Sequence, residues 1–154
     1  MRSTAILDTG PLLAALDRRD PGHAVCAEVL RRRDLELVIP ALVVAEVSWF
    51  AASRLGPRGE AAFVRSLRDL DVEAPHPDDW SVIADLVEWY ADFPLGTVDA
   101  SIVVLADRFE TDLIVTLDRR HFGAIQSPKG RRFRLLPEPR QVNEDAAVYS
   151  SRPT

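Results

Sequence analysis

Cysteine is nearly absent from this sequence: Cys26 is the single one among 154 residues, so no internal disulfide can form. It falls in a helical pattern beside Val25 and Val29, which suits a buried apolar role. Histidine is scarce too, with three in the chain. One thiol and three scattered imidazoles cannot build a tetrahedral zinc site of the usual ligand types, so a metal bound here needs oxygen ligands. No apolar run approaches the ~20 residues of a membrane span. The apolar stretch after Met1-Arg2-Ser3 is also far too short for a secretory signal. Both absences argue against a membrane protein and leave a cytoplasmic one as the expectation. Lysine is confined to Lys129, and a net charge of −5 provides no general basic coat for nucleic acid.

What is present suits one folded unit. Apolar residues make up 47% of the chain, enough for one core, and the length matches a single domain. We assign the domain to residues 1–140 and a loosely held polar tail to 141–154. Thr4–Asp8 reads as a short buried strand ending in an acid, and Gly10-Pro11 opens a helix to Arg18 with Thr9 as its cap. Residues 23–33 read as a helix closing on Arg31-Arg32-Arg33, where the dipole favours positive charge. Glu36–Ile39 is a strand stopped by Pro40. Helices over 41–54 and 58–70 are parted by Gly56-Pro57, a stop signal that predicts a helical hairpin. Then come a short strand at Val72–Ala74, a helix from Asp78-Asp79 to Tyr90, and a helix over Val98–Phe109 capped by Thr97. Asp112–Leu117 is a clear strand and Phe133–Leu136 a last one. Strands alternating with helices predict an α/β fold, its parallel sheet covered on both faces. Such sheets place ligands at the carboxyl ends of their strands.

Four acids take on meaning from that rule. Asp8 and Asp118 each end an apolar strand; either alone would read as a helix cap or turn acid, but two strands ending alike point to a shared edge. Glu46 has Leu42, Val43, Trp49 and Phe50 three and four positions away, so its carboxylate falls on an apolar helix face, where ionisation is costly without a partner. Asp99 repeats the pattern between Leu95, Gly96, Ile102 and Val103, although a place in the first helical turn also suits an acid. Acids gathered at one small sheet raise one another's pKa unless a cation neutralises them. Hard oxygen ligands select Mg²⁺ or Mn²⁺, and the matching chemistry is phosphodiester hydrolysis. From Arg119 to Arg140 the chain also carries seven basic residues (Arg119, Arg120, Lys129, Arg131, Arg132, Arg134, Arg140) against one acid, Glu138. This stretch is either a local apron for phosphates or a solvated loop.

At these residues the chain resembles the PIN-domain family, in particular the VapC-type toxin ribonucleases of bacterial toxin–antitoxin pairs. The matching pieces are Ala5-Ile6-Leu7-Asp8-Thr9-Gly10-Pro11-Leu12, Ile39-Pro40-Ala41 with Val44-Ala45-Glu46-Val47, Leu95-Gly96-Thr97-Val98-Asp99-Ala100-Ser101-Ile102, and Ile114-Val115-Thr116-Leu117-Asp118-Arg119-Arg120-His121-Phe122. Together they span Thr4 to Leu136. The resemblance implies a PIN-like three-layer sandwich with a central five-stranded parallel sheet flanked by helices. It implies Asp8 and Asp99 as principal Mg²⁺ ligands, with Glu46 and Asp118 binding directly or through water. Thr9 and Thr116 match positions where small hydroxyls orient these acids, or else serve as cap and strand residues. Arg119 and Arg120 are candidates for phosphate contacts; His121 fits a turn better than a general base. The implied activity is Mg²⁺-dependent endoribonuclease cleavage of tRNA or rRNA. The implied partners are the RNA, a VapB-type antitoxin lying on a groove formed partly by residues 41–70, and a second copy of the chain. Core packing is the expectation for Trp49 and Phe50.

Alternatives stay open at this point. An RNA-processing PIN nuclease outside a toxin–antitoxin pair carries the same residues, and so does a non-catalytic PIN scaffold. An aspartyl-phosphate phosphatase is disfavoured, because Gly10 stands where a second aspartate is needed.

Overall fold

The computed structural model describes residues 1–139, so Arg140 and the tail assigned to 141–154 lie outside the described residues. The chain starts in β1 (Ser3–Leu7), whose Ala5, Ile6 and Leu7 are at most 1% exposed. A run apolar on both faces belongs at the centre of a covered parallel sheet, and β1 lies there. It is followed by α1 (Thr9–Leu16), α2 (His23–Leu30), β2 (Leu35–Pro40) and α3 (Ala41–Ser66). The rest of the chain forms β3 (Asp71–Glu73), α4 (Asp79–Trp89), α5 (Thr97–Arg108), β4 (Leu113–Val115), α6 (Arg119–Ala124) and β5 (Arg134–Leu136).

All five strands are parallel, in the order β3-β2-β1-β4-β5. The chain winds outward from β1 in one direction through β2 and β3, then returns to pair β4 on the other side of β1. The ends of β1 and β4 therefore flank the point where the winding reverses, the place where such sheets open a crevice. Helices flank the sheet as expected. From Ala100 to Ala106, α5 is buried on every side, and a helix apolar all round can only be an interior one. Each large side chain it buries, Ile102 and Leu105 among them, contributes ~1.5–3 kcal/mol. Cys26 is fully buried, and burial pushes its thiol up to about 11, as an inert packing residue requires. Among the described residues no helix is long and apolar enough to cross a membrane.

Several boundaries differ from the sequence expectation for identifiable reasons. Residues 41–54 and 58–70 were expected as separate helices; α3 runs through both as far as Ser66, but breaks at Gly56, which has φ 71° and ψ −175°. Only glycine adopts that conformation freely, and Pro57 then restarts the helix. Gly59 is also required, since a Cβ there would stand 2.3 Å from the Leu55 Cβ. Thr9 and Thr97 are not caps. Asp8 holds the cap position of α1 and Gly96 that of α5, so each threonine is already the first helical residue. The first helix stops at Leu16, two residues short of Arg18, and α2 stops at Leu30. Arg31 closes α2 instead, its Nε donating to the Ala27 carbonyl at 3.0 Å. The helix α6 was not expected at all.

Candidate active site

Asp8, Glu46, Asp99 and Asp118 line one open cavity of about 500 Å³ at the carboxyl edge of the sheet, together with Thr9, Gly10, Leu13, Phe50 and Leu117. Each arrives from a different element. Asp8 is the residue after β1, and its N–H still donates to the Val115 carbonyl of β4 at 2.9 Å. Asp118 follows β4 at a remove of two residues and starts α6. Asp99 is the third residue of α5, and Glu46 faces inward from the first half of α3. Acids distant in the chain thus meet across the reversal point, and neither arginine nor lysine is among the lining residues.

Hydrogen bonds fix two of the four acids. Asp8 Oδ1 accepts the Thr9 N–H at 2.7 Å, and Oδ2 accepts the Thr116 hydroxyl at 2.7 Å. The same Thr116 oxygen accepts the Asp118 N–H at 2.9 Å, so one hydroxyl joins both strand ends. Asp118 caps α6 through Oδ1, which accepts the His121 N–H at 3.0 Å, while Oδ2 lies 2.5 Å from His121 Nδ1.

Burial and like charge oppose ionisation here. Asp8 is held above the ordinary carboxylate range chiefly by burial, with Glu46 and Asp118 adding to the rise; the bonds from Thr116 and Thr9 only partly offset it. Asp99 is pushed up to about 6, first by burial and next by the charge of Asp8. Asp118 adds to this, whereas the Gly96 N–H and His121 oppose it.

The cavity has the chemistry of a hard cation site. Its polar lining is carboxylate and hydroxyl oxygen, its acids lack basic partners in the wall, and the buried Thr9 Oγ1 has no hydrogen-bond partner among the described residues. An unsatisfied buried hydroxyl beside crowded carboxylates fits a hydrated ion. Among the described residues no three acid, cysteine or histidine side chains are grouped closely enough to enclose an ion unaided.

The remaining expectations are met unevenly. Thr116 touches Asp8 through its hydroxyl, but Thr9 does so only through its backbone N–H. Arg119 Nη1 donates to the Pro137 carbonyl at 2.7 Å, which ties α6 to the end of β5. Arg120 is exposed, its guanidinium 5.8 Å from the centre of the Phe93 ring. Part of the basic stretch is tied down within the fold: Arg131 pairs with Asp107 and Arg134 makes two bonds to Asp112, while Lys129 and Arg132 are exposed. Trp49, expected in the core, is 68% exposed, while Phe50 is half-buried in the cavity wall. Sequence reasoning set His121 aside as a turn residue, yet its ring meets Asp118. The readable signal was a cap acid with histidine three residues on, the spacing at which an N-cap meets the third helical N–H.

A parallel sheet with its acidic cavity at the winding reversal defines a class before any comparison is made. Residues 5–126 match the family described as PIN domain, and the chain belongs to that family. Over 134 residues it is 39% identical to Ribonuclease VapC26 of Mycobacterium tuberculosis, spanning 86% of this chain and 99% of that protein, which puts it on the VapC-type branch. Solved structures share the fold at lower identity. The Mycobacterium tuberculosis VapC20 toxin, described as cleaving the sarcin-ricin loop, has a TM-score of 0.66 at 17% identity, covering 73% of this chain and 87% of its own. VapBC2 from Rickettsia felis, solved with a promoter DNA fragment, scores 0.61 at 15% identity over 86% of this chain and 96% of its own. A toxin–antitoxin complex from Klebsiella pneumoniae also scores 0.61, at 19% identity over 79% and 92%.

Proposed function

We propose that this chain is a divalent-metal-dependent endoribonuclease, the toxin of a type II toxin–antitoxin pair, that cleaves tRNA or rRNA by phosphodiester hydrolysis. One observation carries the reading: Asp8, Glu46, Asp99 and Asp118 line a single cavity without a basic residue among its walls. The ribonuclease name of the 39% identical relative supports it, as do the toxin–antitoxin complexes among the structures of the same fold.

Asp8 and Asp99 are the principal candidates to hold Mg²⁺ or Mn²⁺, with Glu46 and Asp118 binding directly or through water. When bound, such an ion polarises the phosphate and lowers the pKa of a water molecule. The protein's own contribution is orientation. Thr116 keeps the Asp8 carboxylate turned to the cavity while fixing the Asp118 backbone, and His121 holds the Asp118 side chain. Leu13, Phe50 and Leu117 supply apolar wall around the acids. The exposed Trp49, next to Phe50 on α3, suits contact with a VapB-type antitoxin in the cytoplasm.

The test is to map RNA ends after induced expression of the wild type beside Asp99→Asn. New, discrete ends with the wild type alone support the reading; identical profiles sink it. Cleavage by purified protein should also stop in EDTA and resume with Mg²⁺ or Mn²⁺, and resistance to the chelator would remove the metal from the reaction.

A further inference from the structure

We propose that Arg120 and Phe93 form a stacking subsite for an unpaired RNA base beside the acidic cavity, a proposal that rests on the ribonuclease reading above. Phe93 sits in the turn between α4 and α5, anchored by its N–H to the Tyr90 carbonyl at 2.9 Å. The His121 ring packs edge-on against it, with centroids 5.0 Å apart and planes at 80°. That imidazole also reaches Asp118, with Nδ1 2.5 Å from Oδ2. The Arg120 guanidinium lies over the Phe93 ring from outside, 5.8 Å from its centre. Arg120, Phe93, His121 and Asp118 thus form an unbroken series of contacts from the surface to the cavity rim.

Arg120 differs from its basic neighbours. Arg108, Arg131 and Arg134 are committed to Asp79, Asp107 and Asp112, whereas Arg120, like Arg132, is exposed with no carboxylate partner among the described residues, and of these two it is Arg120 that lies over an aromatic ring. A planar, weakly hydrated guanidinium backed by an aromatic ring is a surface on which a nucleobase stacks. Unpaired bases use such surfaces and duplex bases do not, because a base in a helix is already stacked. Contiguity with Asp118 assigns the stacked base to a nucleotide close to the scissile phosphate. Arg120 and Phe93 are positioning residues in this scheme, and the recognition is of shape rather than of base identity.

The experiment titrates a short single-stranded RNA containing 2-aminopurine onto the full chain carrying Asp99→Asn, so that cleavage does not intervene. Binding should quench the fluorescence. Arg120→Lys and Phe93→Leu, added separately, should each weaken binding about tenfold and abolish the quench, the loss expected for one stacked base. Neither change removes charge, so the dependence of affinity on salt should keep its slope. Arg120 is a surface residue, which makes Arg120→Lys informative even if Phe93→Leu disturbs the fold; thermal unfolding checks both. Undiminished quenching and affinity in Arg120→Lys overturn the subsite. So does full binding by Arg120→Lys alongside weakened, less salt-dependent binding by Arg120→Gln, which would make Arg120 a phosphate contact. Cleavage by the wild type in either of these outcomes leaves the ribonuclease reading standing. A wild type that neither binds nor cleaves RNA overturns both.

Discussion

Asp99 and Asp107 sit on the same helix, yet the fold treats their charges in opposite ways. Asp107, at the C-terminal end of α5 where the dipole disfavours an anion, accepts from Arg131 Nε at 3.4 Å and from the Lys129 N–H at 3.3 Å. Next to it Arg108 binds Asp79 and reaches Glu73. Asp99, at the favoured N-terminal end, is half-buried facing Asp8 and Asp118, with no arginine or lysine but only the Gly96 N–H and a histidine to oppose the rise, and its pKa reaches about 6. Where acids serve the architecture, arginine neutralises them. At the cavity they are left without such partners, and burial and like charge raise the pKa of Asp8 and Asp99 instead.

The sharpest way to break this comparison is to remove one acid from each region. Asp8→Asn should slow RNA cleavage by about 10³-fold, equivalent to ~4 kcal/mol of transition-state stabilisation. Asp107→Asn should leave cleavage per folded molecule close to the wild-type rate. Single-turnover rates on one RNA decide the matter, and equal losses would erase the distinction between the regions. Stability should follow the reverse pattern. The Arg108–Asp79 pair is about one-fifth exposed, so Arg108→Met leaves a largely buried carboxylate without its counter-charge and with only the His76 N–H as donor, at a cost of ~2–3 kcal/mol in urea unfolding. Asp79→Asn combined with Arg108→Met should cost less than the sum of the single changes, as a shared interaction requires.

A smaller effect probes how the uncompensated acids are held. Thr116→Val keeps the shape of a fully buried side chain but removes the hydroxyl shared by Asp8 and Asp118. Cleavage should fall about tenfold, the lower end for partners that orient metal ligands. An unchanged rate would reduce Thr116 to a strand residue.

The two regions were not equally legible in the sequence. Asp8 and Asp118 were visible because apolar strands lead up to them, and Glu46 and Asp99 because a charge interrupts a helical apolar face. Periodicity of that kind survives in one dimension, as does the Gly56-Pro57 break. The compensated region was not visible: Arg108–Asp79 and Arg131–Asp107 join residues 29 and 24 apart, and nothing local marks them as partners. For that reason the stretch from Arg119 onward could be read only as a phosphate apron or a solvated loop, although Arg119, Arg131 and Arg134 are tied into the fold. Helix α6 escaped because its six residues are too few to show a period. Thr9 and Thr97 were read as caps since hydroxyls favour that position, but Asp8 and Gly96, one residue earlier, hold the extended backbone of a cap.

The subtlest test concerns what the uncompensated charge costs the fold when no ion is present. Asp99 has a folded-state pKa of about 6 against an ordinary 3.8, so its ionised form is disfavoured by folding. The stability it contributes is complete below pH 3.8 and is lost as the pH rises through about 6. Asparagine cannot ionise and escapes this loss. In EDTA, Asp99→Asn should therefore unfold at the same temperature as the wild type near pH 4, gain on it between pH 4 and 6, and stay ahead by a constant margin above. The rise in pKa corresponds to at most ~3 kcal/mol, and partial solvent screening reduces the expected margin to ~1–2 kcal/mol, a few degrees in Tm. Millimolar Mg²⁺ should narrow or reverse the gap, because an ion that binds only the folded wild-type site stabilises it by mass action. A margin that ignores both pH and Mg²⁺ would mean that Asp99 carries no uncompensated charge, and the contrast with Asp107 would fail at its centre.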